Sequence, residues 1–125
     1  VFLYGEIGVG KTTFVKHLIN NLQLRKSKKL TEVPSPTFNI VYEYEIGELV
    51  VQHYDLYRIK KELEFKNIGL FENLKDSIIL IEWPEIIKEK PKNTIELIFH
   101  YEENLSKRSL TISSNIKKNF LHEFK

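Results

Sequence analysis

The sequence predicts an α/β fold: one domain with a mixed sheet flanked by helices. Three observations carry that prediction. A glycine-rich loop, Gly5 to Gly10, stands between a short apolar run and a helical pattern. Two β-rich runs, 37–45 and 49–57, are separated only by Ile46-Gly47-Glu48, the spacing of an antiparallel hairpin. Ile78-Ile79-Leu80-Ile81 is uniformly apolar, as a central strand covered on both faces should be.

Each element can be justified in order. Val1-Phe2-Leu3-Tyr4 is a strand that ends at the glycine loop. From Lys11 the residues Phe14, Val15, Leu18, Ile19 and Leu22 recur at helical spacing, and the helix should fade near Asn20-Asn21. The basic stretch Arg25-Lys26-Ser27-Lys28-Lys29 follows, then Pro34-Ser35-Pro36-Thr37, which the two prolines hold extended and stiff. After the hairpin, Leu56, Ile59 and Leu63 repeat at helical intervals, and a second short helix carries Leu70, Phe71 and Leu74. Two later strands fall at 94–101 and 109–113, and Ile116, Phe120, Leu121 and Phe124 mark a closing amphipathic helix.

Composition narrows the class. The chain has 125 residues, short enough for one domain over 1–125, without an internal repeat or linker. With 42% hydrophobic and 29% charged residues it is too apolar for disorder, and no apolar run approaches the roughly 18 to 20 residues of a membrane span. The absence of cysteine excludes disulfides, thiol catalysis and Cys-ligated zinc. No signal peptide is visible, so a cytoplasmic setting is the default. A net charge of +2 neither favours nor disfavours a nucleic-acid partner. Met and Ala are also absent, and a strand that begins on Val1 points to a segment preceding it.

Gly5-Glu6-Ile7-Gly8-Val9-Gly10-Lys11-Thr12 fits G-x-x-x-x-G-K-[ST], with a strand before it and a helix after. Glycines let such a loop curl with its N–H groups inward, forming a nest for phosphate at a helix N-terminus. Lys11 then sets a charge on the β- and γ-phosphates, and the Thr12 hydroxyl is placed to ligate Mg²⁺. The motif therefore predicts a bound nucleoside triphosphate.

Hydrolysis needs an acid at the tip of a neighbouring strand. Glu82 follows the four apolar residues 78–81, with Trp83-Pro84 ending the strand; the competing reading is a surface acid capping a buried strand. Asp55 ends the second hairpin strand and is one of two aspartates beside 15 glutamates; its competing reading is a helix N-cap. Thr37, delivered on a rigid Pro-Ser-Pro segment, is either a switch threonine that senses γ-phosphate and metal or a strand-initiating threonine. His53 packs or hydrogen-bonds within the hairpin, and Trp83 either stacks near the nucleotide or enters the core. The 25–29 cluster is either a solvated loop or a contact for nucleic-acid phosphates. No Asn-Lys-x-Asp guanine motif occurs, which leaves adenine. Three arginines and little length for a lid argue against a small-molecule kinase.

The series from Gly5 to Thr13, then Ser35-Pro36-Thr37-Phe38, His53-Tyr54-Asp55-Leu56-Tyr57-Arg58 and Ile81-Glu82-Trp83-Pro84, resembles the bacterial TsaE (YjeE) family in order and spacing. Glu62-Leu63-Glu64 and Ile68-Gly69-Leu70 match as well, so the resemblance spans nearly the whole chain. It implies a single P-loop NTPase-like domain: a cytoplasmic, Mg²⁺-dependent ATPase required for N6-threonylcarbamoyladenosine modification of tRNA (t6A37). Such a subunit resets the TsaB–TsaD complex between rounds and meets tRNA through that complex. Carried over by motif, Ile7, Gly8, Val9, Gly10, Lys11, Thr12 and Thr13 bind the triphosphate. Thr12 and Glu82 hold Mg²⁺, and Asp55 and Thr37 are switch-region partners of metal and γ-phosphate. Trp83 matches the tryptophan beside the Glu, and Arg108 an arginine near the nucleotide. Lys11, Asp55 and Glu82 form the catalytic set, with either carboxylate orienting the attacking water. The family pattern also implies that an N-terminal hairpin segment of about 25 to 30 residues is absent before Val1. Two other functions stay open at this point: a nucleotide-dependent binding module without essential hydrolysis, and a small-molecule P-loop kinase.

Overall fold

The computed structural model describes residues 1–6, 8–34, 40–60, 77–103 and 107–116. Strands β1 (Phe2–Tyr4), β2 (Val41–Ile46), β3 (Leu49–Asp55), β4 (Ser77–Glu82), β5 (Ile95–Glu102) and β6 (Lys107–Ser114) form one sheet in the order β2-β3-β4-β1-β5-β6. The four inner strands β3, β4, β1 and β5 run parallel, and the edge strands β2 and β6 pair antiparallel to their neighbours. The sheet is therefore mixed, as the sequence predicts. Helix α1 (Lys11–Arg25) leaves β1 and returns along one face.

Alternation along the strands divides the core in two. On the α1 side Leu3, Val51, Leu80 and Leu97 pack with Val15 and Ile19 of the helix. On the opposite side Phe2, Tyr54, Ile79 and Ile81 pack with Leu56 and Ile87. Residues 78–81 of β4 are all apolar, and both faces of that run are covered in this way.

Three boundaries differ from the periodicity. Helix α1 does not fade at Asn20-Asn21 but continues to Arg25. Its polar tail is held by Thr31, a few residues beyond the helix: Gln23, buried, donates to Thr31 Oγ1 at 2.8 Å, and Asn20 donates to the Thr31 carbonyl at 3.2 Å. The helix ends where Ser27 turns left-handed (φ +54°) and the Lys28 amide bonds back to the Gln23 carbonyl at 2.8 Å. The first hairpin strand begins at Val41, after Ile40 in a left-handed conformation, and its turn is the two residues Gly47 and Glu48. No helix starts within 56–60; the Ile59 amide closes a turn on the Leu56 carbonyl at 3.0 Å. Leu63, the predicted helix at 70–74 and the helix carrying Phe120, Leu121 and Phe124 lie outside the described residues.

The chain leaves β1 toward β2 and β3 on one side, comes back to β4, and then crosses to β5 on the other. Parallel sheets bind ligands outside the carboxyl ends of their strands, at the point where the strand order reverses. Here that point is the end of β1, where the glycine loop begins.

Candidate nucleotide site

The glycine loop owes its course to positions that a side chain would block. Gly5 has φ +143°, and a Cβ there would lie 2.9 Å from both the Phe99 carbonyl oxygen and Val9 Cγ1. The loop thus passes directly beneath β5. Gly10, at φ +117°, is the N-cap of α1, and no side chain caps the helix and no acid occupies its first turn. The amides of that first turn are left for an external acceptor, and the helix dipole favours an anion there.

Around this N-terminus lies a cleft of about 400 Å³. Gly8, Gly10, Lys11, Thr12, Thr13, Asp55, Glu82, Trp83 and Arg108, all given site roles from sequence, line it, together with Tyr57, which was given none. Parity explains the convergence. On β3 the residues Val51, His53 and Asp55 share the α1 face, and on β4 so do Leu80 and Glu82. Asp55 and Glu82 are register partners at the ends of adjacent parallel strands, facing the first turn of the helix.

The contacts within the cleft are specific. The Thr12 hydroxyl lies 2.9 Å from Glu82 Oε1 and 3.1 Å from Oε2. Glu82 Oε2 also lies 2.6 Å from His53 Nε2, in a pair that is entirely buried on the histidine side. His53 therefore bonds across to β4 and not within the hairpin. Asp55 is 5% exposed and accepts the Tyr57 amide at 2.9 Å, an Asx turn in place of the helix cap weighed above.

Lys11 is buried, donates to the Gly5 carbonyl, and sets its Nζ 3.6 Å from the centroid of the Trp83 ring. Burial pulls its pKa below the usual lysine range, and the Glu82, Glu85 and Asp55 carboxylates partly oppose that pull. Trp83 is half-buried at φ +57°, so it belongs to the cleft and not to the core; the Tyr57 ring, 54% exposed, lies 4.9 Å from it. Arg108, on β6, reaches the loop with Nη2 3.5 Å from the Gly8 carbonyl and stands 5.6 Å from the Tyr101 ring.

One predicted residue takes another place. The Val9 side chain is buried beneath the loop, and its amide donates to the Glu6 carbonyl at 3.2 Å. Ile7 and Thr37 lie outside the described residues. The basic residues 25, 26, 28 and 29 are exposed, remote from the cleft lining. His53 and Tyr57 were within the quoted run 53–58, but only the strand register reveals which of its side chains turn toward Glu82 and Trp83.

The donor set suits a hard divalent cation beside a triphosphate. Mg²⁺ is typically bound through one or two carboxylates or a hydroxyl, with substrate phosphates and water completing the shell. Thr12, Glu82 and Asp55 supply that kind of partial shell, and among the described residues no cluster of three His, Cys, Asp or Glu forms an all-protein cage. The glycine cradle and Lys11 supply the positive side.

Comparison with known proteins agrees. The family model described as "Threonylcarbamoyl adenosine biosynthesis protein TsaE" matches residues 1–110. The tRNA threonylcarbamoyladenosine biosynthesis proteins TsaE of Rickettsia typhi and Rickettsia prowazekii are each 38% identical over 125 residues, covering 99% of this chain and 81% of theirs. Among solved structures, the crystal structure of YdiB from Bacillus subtilis superposes with a TM-score of 0.65 at 27% identity, over 90% of this chain and 66% of that one.

Proposed function

The chain belongs to the TsaE family, and from that premise we propose how its cleft serves tRNA threonylcarbamoyladenosine biosynthesis. Membership makes it a P-loop ATPase of that modification. The finer reading concerns which residues act, and on whose behalf.

In this reading the amides of Gly8 and Gly10 to Thr13 take the phosphates of ATP, while Lys11 leaves the Trp83 ring for the β- and γ-phosphates. Thr12 and Glu82 would hold Mg²⁺, with Asp55 beside them. When bound, the cation neutralises charge on the phosphate oxygens and fixes their orientation. The two carboxylates divide their work. Glu82 is committed to Thr12 and His53, and Asp55, its register partner at the end of β3 and part of the cleft lining, orients the attacking water. Arg108 approaches from β6 toward charge developing on the phosphate. The observation that carries the reading is the Thr12–Glu82 contact beside a buried Lys11 at an uncapped helix N-terminus.

The partner is the TsaB–TsaD complex, with tRNA met through it and the work done in the cytoplasm. Among the described residues no helix is long and apolar enough to cross a membrane. Hydrolysis is slow in the isolated chain and faster with the partner. Steady-state ATP hydrolysis with and without TsaB–TsaD tests this: stimulation is expected, and equal rates would refute the partner-gated part. Phosphate transfer to a metabolite in place of water would revive the kinase reading.

A further inference from the structure

We propose that His53 is a positioning residue for Glu82: its Nε2–H holds the carboxylate in the orientation that faces Thr12, and so sets how strongly that corner takes a divalent cation. The inference rests on the nucleotide reading of the cleft. Its evidence is the buried pair itself.

His53 has no exposed surface and does not line the cleft, so it cannot touch nucleotide or the reacting atoms. On β3 it is the register partner of Leu80, two register pairs behind Asp55 and Glu82, and it reaches Glu82 diagonally from within the core. The contact is 2.6 Å, the short distance of a charge-assisted hydrogen bond. A carboxylate can only accept, so Nε2 carries the hydrogen.

The other ring nitrogen argues that this bond is the reason for a histidine at the site. Nδ1 is buried with no hydrogen-bond partner among the described residues. Buried polar atoms are normally paired, and leaving one bare is costly. The neighbours of His53 on this face, Val51 and Leu80, are fully buried and apolar, and an aliphatic side chain would suit that layer better. What histidine adds there is one N–H, and all of it goes to Glu82.

The consequence for the site is geometric. Glu82 has several side-chain torsions, yet both of its oxygens are fixed: Oε2 by His53 and Oε1 toward Thr12 at 2.9 Å. With Oε2 anchored from the core side, the carboxylate is set before any cation arrives. Donors that orient a metal-ligating group in this way commonly change metal affinity by about 10- to 100-fold.

Calorimetric titration of the full chain with ADP, in EDTA and at stepped Mg²⁺ concentrations, tests the proposal without relying on turnover. Three variants are compared: His53→Leu, His53→Gln, whose amide lies near the Nε2 position, and His53→Asn, whose amide does not reach it. The expected result is that His53→Leu and His53→Asn need about 10- to 100-fold more Mg²⁺ to reach the tight ADP complex. Affinity in EDTA stays within about twofold of wild type, and His53→Gln recovers most of the Mg²⁺ response. A wild-type Mg²⁺ requirement in His53→Leu or His53→Asn overturns the proposal. So does equal behaviour of His53→Gln and His53→Asn, a comparison that decides the matter even if His53→Leu does not fold. Glu82→Gln is the reference arm: if it retains the wild-type Mg²⁺ response, the metal reading of the corner fails. If it loses that response while the His53 variants keep it, only the positioning role fails.

Discussion

Replacing Gly5 by alanine is expected to be far more damaging than the same change at Gly47, and more damaging than at Gly10, and the structure says by how much. Gly47, at φ +65° in the hairpin turn, has open space where a Cβ would go. Its substitution meets only the left-handed penalty, about 1 kcal/mol. Gly10, at φ +117°, also has open space but a less accessible backbone, so about 1–3 kcal/mol is expected. Gly5 combines φ +143° with contacts of 2.9 Å to the Phe99 carbonyl oxygen and Val9 Cγ1, and 3.1 Å to Phe99 Cβ. A backbone carbonyl in a paired strand cannot swing aside as a flexible side chain can. Adding about 1–3 kcal/mol of overpacking to a backbone term of about 1–3 kcal/mol gives about 2–6 kcal/mol for Gly5→Ala. For a chain of this size each kcal/mol moves Tm by about 3–5 °C, so Gly5→Ala should lower Tm by about 6–30 °C and Gly47→Ala by about 4 °C. Thermal denaturation followed by far-UV circular dichroism reads the series directly. Equal shifts for Gly5→Ala and Gly47→Ala would refute the close approach of the loop to β5.

Three further outcomes follow from the same contacts. Lys11→Met should abolish detectable ATP binding while leaving the nucleotide-free fold no less stable, because burial already disfavours the ammonium. The sign of the pH effect is set: with the folded pKa below 10.5, the unfolded chain binds more protons between the two values. Wild-type stability therefore gains a contribution as pH rises through that window, and Lys11→Met should lack it in denaturant titrations across alkaline pH. Leu80→Ala, at a fully buried position between β3, β1 and α1, should cost about 2–5 kcal/mol by urea denaturation. Leu110→Ala, 41% exposed on the edge strand, should cost no more than about 0.5 kcal/mol.

Much of this molecule is legible in its sequence because its strongest signals are local. The loop from Gly5 to Thr12 declares itself by residue type and spacing, and 78–81 by unbroken apolarity. Both appear where expected, and the strands gather Lys11, Thr12, Asp55 and Glu82 into one cleft. Long-range pairing hides the rest. The last turn of α1 persists because Gln23 meets Thr31, a contact that helical periodicity cannot register. Asp55 resembles a helix cap in sequence because a helix-like spacing follows, yet its carboxylate closes a turn on Tyr57. His53 and Tyr57 gain meaning only once β3 is set in register beside β4, since parity then turns one toward Glu82 and the course of the chain brings the other to Trp83. The left-handed backbone of Trp83, which swings its ring over Lys11, has no signature in a strand-ending Glu-Trp-Pro.

The central claim is that ATP hydrolysis in this cleft sustains repeated rounds of tRNA modification. The most direct measurement is multiple-turnover t6A formation on tRNA by TsaB–TsaD supplied with the wild-type chain, Lys11→Ala or Asp55→Asn, with ATP affinity and hydrolysis measured in parallel. The wild type should support many rounds. Lys11→Ala should fail for want of binding, and Asp55→Asn should bind ATP yet stall after the first round. An Asp55→Asn protein that binds ATP, does not hydrolyse it and still sustains many rounds would contradict the account and leave the chain a nucleotide-dependent binding module.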